Sequence, residues 1–480
     1  MNRRKFLATT IVGTLAARSL LASSGPTAGT ITPLGKLVHD CLIPGQGRDN
    51  GAFPAHPNGI RLSKDRFLVL YATRGWRGVD EDRSIIYQVR VKGFDGVILK
   101  EGMLASSTDA WDPLGDGSRH FMAQGHPGGF GVPKGALIDG RPAPHANLFV
   151  ICWYRYARPF AGPDRVERPL AAKTHTVCWV QVRLNDAGND IEIVEPESLL
   201  RSPDFDPADP AGRLSNITFI QAQSYNASAT EWVHQGSGAW PDRNDPKAAG
   251  PVALKFRYHP ARHRYEWVET GPRFFPPGFE AIEGSLVRLD DGWAMYARPH
   301  KDANLPLLWV RLDDPFSLAG RKLFNQPRAG QPIVRAPVSA YRCADGRIRV
   351  FTGDREGSPY QNRRHPLYCW EADPRNDFAL TRRQVVFDLL ATDSALRPES
   401  EPIADMCKVL PHSGGSSQWL VHRFRTESIN YRRERPASTN PEPQFRVSPA
   451  VTDDERALHG IYIARLNLDG SYPDVWSFSG

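Results

Sequence analysis

Apolar and polar positions alternate with a period of two along most of this chain, and β-branched and aromatic residues supply many of the apolar ones. That period belongs to extended strands, and no long 3.6-residue pattern competes with it. The strands recur in a fixed order. A first type runs into a polar turn, often Asp-Gly, as in AHPNGIRLSKDR, EGSLVRLDDG and APVSAYRCADGR. A strongly apolar strand follows at once: FLVLYATRG from Phe67, NLFVICWYRY from Asn147, WAMYARPH from Trp293, IRVFTGDRE from Ile348 and WLVHRFRTE from Trp419. A third type comes next: SIIYQVRVKGFDG from Ser84, TVCWVQVRLNDAG from Thr176, LLWVRLDD from Leu307, PLYCWEADPRND from Pro366 and GIYIARLNLDG from Gly460. A fainter copy reads LSNITFIQAQ, TEWVHQGSG and VALKFRYHPARHRYEWVE. Six copies, each closed by a less regular fourth strand, predict an all-β, six-bladed β-propeller, because radial blades bury the faces of such a repeat without long open edges. The blades are expected to begin near residues 52, 120, 213, 278, 332 and 401. Residues 426–458 are Pro-rich and charged and predict a surface-loop insertion in the last blade.

The first 29 residues break the pattern. Arg3-Arg4 precede Phe6-Leu7 and a short apolar stretch from Ala8 to Leu21, interrupted by Gly13 and Arg18. This is the form of a twin-arginine signal peptide, too short for a membrane span, with cleavage expected after Ala22 or Ala28. The predicted organisation is a signal segment over 1–29 and one propeller domain over 30–480. The implied partner is the twin-arginine export machinery, and the implied location is periplasmic or secreted, with no stable membrane anchor.

Of 480 residues, 24% are charged and 40% hydrophobic, and Gly and Pro number 41 each, which suits many short strands and turns. The formal net charge is +7. Four basic residues and no acid lie in the first 29, so the remainder carries +3 and gives no case for nucleic acid. Six cysteines are too few for a disulfide scaffold. No cofactor motif is found, and the metal signals, H-x-x-C at His175 and Cys178 and DPLGDGS at Asp112–Ser118, lack the partners of a site.

Candidate chemistry sits where first strands begin and second strands end, because these share one mouth of the propeller. Here the chain resembles the sialidase (neuraminidase), or BNR-repeat, superfamily. The stretch EAIEGSLVRLDDGWAMYARP, residues 280–299, is similar to the family pattern of a Glu, an apolar strand, an Asp-Gly turn, a second strand and an Arg; Glu283 and Arg298 match. RAPVSAYRCADGRIRVFTGDRE followed by NRRHPLYCWEADPRNDF resembles the next blade, where Arg364 fits a carboxylate-binding arginine, with Arg363 as a substitute. AFPAHPNGIRLSKDRFLVLYATRG resembles the first blade and ends in Arg74, and Asp80 or Asp82 then stands where the family carries its acid/base aspartate. The resemblance spans most of residues 50–425. It implies a carbohydrate substrate or ligand whose carboxylate is gripped by paired guanidiniums, and a glycosidase in which an Asp protonates the leaving oxygen.

The departures are specific. The first-blade arginine would fall near Phe53-Pro54, where Arg48 is the nearest stand-in. The nucleophilic tyrosine would open the last blade, where EPIADMCKVL offers Asp405 instead. No S-x-D-x-G-x-x-W box is present. A second set is histidine-based: His56 opens the first blade, and His120, His126 and His145 surround the second. His126, Tyr225 and Arg298 would suit a polysaccharide lyase acting on a uronate. The expected catalytic residues are therefore Glu283, Asp80, Asp82, Asp405 and His126; the expected substrate-binding residues are Arg298, Arg364, Arg74, Arg48 and His56. The function expected is that of an exported glycan-active protein, a glycoside hydrolase of sialidase-like fold acting on an acidic or unusual sugar. The alternatives are a non-catalytic propeller binding glycan or protein, and a uronate-specific lyase.

Overall fold

A computed structural model describes residues 29–38, 41–43, 47–49, 52–75, 84–105, 110–111, 120–144, 147–159, 177–199, 222–224, 231–238, 250–259, 261–262, 264–276, 281–299, 307–324, 336–362, 364–426, 432–434, 444–446 and 452–478. The strands of the described residues form five four-stranded antiparallel sheets and one five-stranded sheet, together with three two-stranded hairpins. In chain order the first strands of these sheets are Ala52–Arg61, His120–Val132 (with the added edge pair Ala110–Trp111), Ala222–Ser224, Ala281–Arg288, Ser339–Arg342 and Pro402–Val409. They lie close to the starts read from the sequence.

The apolar second strands explain how the sheets are held. In FLVLYATRG, Phe67, Val69 and Tyr71 pack into a core shared with the last sheet, while Leu68, Leu70 and Ala72 pack into a core shared with the second. Both faces of the strand are buried, so its alternation runs apolar against apolar. The same division recurs in the fourth sheet, where Trp293, Met295 and Ala297 face the third and Ala294 and Tyr296 face the fifth. Six buried clusters join each sheet to the next, and the sixth to the first. The fold is an all-β propeller.

The ring is fastened by its N-terminal strand. Ile31–Val38 pairs antiparallel with Gly460–Asp474, so the last sheet reads Ile31–Val38, Gly460–Asp474, Ser413–Thr426, Pro402–Val409 from outside in. Beyond the strand, Gly29 N donates to Asn467 O at 2.8 Å and Asn467 N to Thr30 O at 2.9 Å.

Within residues 426–458, the predicted insertion, the described parts are a hairpin of Arg432–Glu434 with Gln444–Arg446 and a helix, Asp453–Leu458. The helix is not a loose loop end. Glu455 is fully buried and takes a two-point grip from Arg397, 2.9 and 2.8 Å, a bond from Ser400 Oγ, and the Thr452 amide at 3.1 Å. Among the described residues no helix is long and apolar enough to cross a membrane. Cys343, Cys369 and Cys407 are buried free thiols, and burial pushes Cys343 up to about 11, which makes it inert at neutral pH.

Candidate functional site

Antiparallel order puts the starts of first and third strands, and the ends of second and fourth strands, at one end of every sheet. By that geometry Asp405 and His56 (first strands), Arg298 and Arg423 (second-strand ends), Arg364 and His365 (before a third strand) and Asp388 (after a fourth) share one end.

Four of these residues make one buried charged chain. Asp405 and Arg423 stand opposite each other in register on neighbouring strands. Arg423 donates from Nε to Asp405 Oδ1 at 2.7 Å, and its Nη2 lies 2.6 Å from the same oxygen. Arg364 Nη1 donates to the other oxygen, Oδ2, at 3.1 Å. Arg423 Nη1 donates to His56 Nε2 at 3.1 Å, which places the proton of the neutral imidazole on Nδ1. His56, Asp405, Arg423 and Arg425 are each 4% exposed or less. Burial alone would raise the Asp405 carboxyl, but Arg423, then Arg364 and Arg425, outweigh it and hold the group below the usual carboxylate range. Asp405 is therefore an ionised counterion at neutral pH. Asp405 thus lies within the field of three guanidiniums, those of Arg423, Arg364 and Arg425.

Arg364 is placed by its own backbone as well. Its N–H donates to Asn362 Oδ1 at 2.8 Å, its carbonyl accepts from Ala404 N at 3.0 Å, and Asn362 Nδ2 donates to Pro402 O at 2.9 Å. The loop of the fifth sheet is thus stitched to the first strand of the sixth. The next residue turns the other way: His365, fully buried, reaches Asp388 at 3.0 Å, and Tyr360 donates to the same carboxylate at 3.1 Å. The His365–Pro366 peptide bond is cis. Asp388 also lines a cleft of about 540 Å³ with Glu356, Ser358, Pro366, Tyr368 and Arg383.

Backbone irregularity marks four of the first strands. The register slips between Ala55 and Asn58, between Gly125 and Gly128, between Ile282 and Gly284, and between Asp405 and Lys408. His56 has φ 51 and Met406 φ 56, a region that residues with a Cβ rarely occupy. Glu283 is the extra residue of the third slip, and a Cβ on Gly284 behind it would lie 2.3 Å from Tyr296 O. Bulges re-aim side chains, and they recur beside active sites.

The candidates divide by placement. His56, Asp405 and Arg364 come together. Arg298 is half-buried at the end of its strand and opposes Ile282, next to Glu283. The backbones of Arg48, Arg74, Glu283, His120 and His126 belong to described strands, while their side chains lie outside the described residues. Asp80, Asp82, His145, Tyr225 and Arg363 also lie outside them. Arg423, Arg425, His365 and Asp388 were not singled out. HRFRT, polar at four of five positions at the end of an apolar strand, carried the signal for the first two. Among the described residues no group of three or more His, Cys, Asp or Glu is placed to hold a metal ion.

No family model and no curated protein matches this sequence. Among solved structures, Trypanosoma rangeli sialidase superposes with a TM-score of 0.51 at 7% identity, over 93% of this chain and 60% of that one. A Dyadobacter fermentans protein of unknown function gives 0.46 at 14% identity, covering 90% of this chain and 99% of that one. A Penicillium chrysogenum α-L-arabinanase complexed with arabinobiose gives 0.45 at 10% identity, covering 92% and 99%. The chain is a β-propeller with distant structural similarity to that sialidase, and it spans 60% of the sialidase's length.

Proposed function

We propose that this chain is an exported, six-bladed, glycan-active propeller, a glycoside hydrolase of sialidase-like fold whose substrate carries a carboxylate. The observation that carries this reading is the cluster of Arg364, Arg423 and Arg425 around Asp405 at one end of the sheets. A cationic, water-poor site favours an anion, and a guanidinium fork matches a carboxylate in shape as well as charge. Six intersheet cores support the blade count. The twin arginines at 3 and 4 support export to the periplasm or beyond, where acidic glycans are met. In this reading Asp405 is the counterion that fixes Arg364, and proton transfer falls to Glu283, Asp80 or Asp82, with Arg298, Arg74 and Arg48 as further contacts.

The test is incubation of the purified chain with matched acidic and neutral glycans. Reducing ends released from acidic glycans alone, without an ultraviolet-absorbing unsaturated product, support hydrolysis; such a product supports the lyase that His126 would serve. A second reading, a glycan binder without turnover, is favoured by the complete pairing of Asp405 where a nucleophile would open the last sheet. Binding to acidic glycans with no product would establish it, and equal response to neutral glycans would sink the carboxylate reading.

A further inference from the structure

Asp405 has two oxygens and divides them. Oδ1 takes both Nε and Nη2 of Arg423, and Oδ2 takes a single N–H of Arg364. Arg364 is therefore half engaged. Its side chain is 15% exposed, and its Nε is buried without a hydrogen-bond partner. The Nε of Arg349 is in the same state although its Nη1 and Nη2 are both paired with Asp345, so the open position on Arg364 is Nη2.

What keeps Nη2 from joining Nη1 on Asp405 is Arg423. An aspartate with both oxygens available pairs with a guanidinium at two points, as Asp345 does with Arg349 at 2.8 and 2.5 Å in the fifth sheet. Arg423 prevents this at Asp405 by occupying one oxygen from the neighbouring strand, and it is itself braced by His56 from the first sheet. We propose that Arg423 is the positioning residue of the mouth: by holding half of Asp405, it leaves Nη2 of Arg364 free to bind an anionic ligand. This rests on the carboxylate reading above and adds the residue that sets selectivity for charge.

The experiment uses the full chain with Arg423→Met and Arg423→Lys. Glucuronate and N-acetylneuraminate are the acidic probes and glucose the neutral one, with Kd measured by ligand-observed NMR. Labelling of Arg364 by phenylglyoxal, read by peptide mass, needs no ligand. The expected result is an acid-over-neutral Kd ratio reduced about tenfold in Arg423→Met, the worth of one charge-assisted hydrogen bond, and reduced less in Arg423→Lys. Arg364 labelling slows in the same order. Adding Asp405→Asn to either variant restores both readouts, because an amide offers one acceptor and cannot draw in the second N–H; a merely structural role would not be rescued by a second lesion. Should Arg423→Met fail to fold, Arg423→Lys carries the comparison. Unchanged labelling and an unchanged ratio in a folded variant overturn the role of Arg423. A wild-type protein with no preference for acid defeats the carboxylate reading by itself; labelling then decides Arg423, slowed labelling supporting the role and unchanged labelling overturning it.

Discussion

Arg423 and His56 stand 367 residues apart in the chain and 3.1 Å apart in space. One is on the second strand of the last sheet, the other on the first strand of the first. Because Arg423 also holds Asp405, which holds Arg364, three sheets meet in four side chains. Breaking a buried pair by removing one partner is far costlier than never having had it, since the remaining charge stays buried. Asp405→Ala is expected to lower unfolding free energy by about 3–5 kcal/mol, read as a shift of the denaturant midpoint. A loss below about 1 kcal/mol, the level of an exposed pair, would show that these charges are solvated.

Acid is expected to loosen the last sheet. Burial raises the Glu455 carboxyl, but Arg397, Ser400 and the Thr452 amide outweigh it and bring it from 4.5 down to about 2. A depressed carboxylate stabilises the fold above its unfolded value and loses that contribution as pH falls through the folded one. Glu455 therefore gives up on the order of 2–3 kcal/mol between about pH 4.5 and 2. Glu455→Gln should flatten that limb of the Tm-against-pH curve while lowering Tm at pH 7.

His422 acts in the same direction for the opposite reason. It is stacked on Tyr462, with centroids 5.8 Å apart, and lies edge-on to Phe387. Burial pushes it down from 6.5 to about 3. The unfolded chain binds its proton first, so stability falls by up to about 1.4 kcal/mol per unit from pH 6.5 toward 3. His422→Leu should remove this slope. An unchanged slope would mean that the imidazole finds water.

Lys408 carries a penalty at neutral pH. Burial brings its ammonium from 10.5 down to about 7. The unfolded state binds the proton more tightly, so stability rises with pH between about 7 and 10.5. Lys408→Met is expected to stabilise the protein by about 1–3 kcal/mol at pH 7, seen as a higher midpoint in urea, with little effect at pH 10.5.

Gly284 tests the bulge at Glu283. A methyl group there meets backbone, Tyr296 O, and the Met295 methyl at 2.4 Å. Backbone must move, and overpacking of this kind costs about 1–3 kcal/mol. Gly284→Ala should reduce turnover of any glycan substrate more than it reduces stability. Loss of stability alone would assign the bulge to packing.

The strand order was legible because five of the second strands carry successive apolar residues and polar turns separate the strands, which is a local signal. Glu455 was not legible: its partners Arg397 and Ser400 lie more than 50 residues earlier, and no periodicity reports an ion pair across such a span. The mouth was legible in part. His56 was found from its place at the start of a first strand, Arg364 and Asp405 from the resemblance to the sialidase pattern, and each was assigned a separate duty. That Asp405 serves Arg364 depends on Arg423, whose strand was read for its apolar residues alone.

The fastening strand has a consequence for the order of events. Ile31–Val38 can complete the last sheet only after Gly460–Asp474 has been made, so the first part of the domain to be synthesised is among the last to find its place. Closing so long a loop is slow compared with local hairpin formation. His56 and Arg423 are brought together across the same seam, and the charged chain at the mouth therefore exists only in a molecule whose ring has shut. The mouth doubles as a certificate of completed folding.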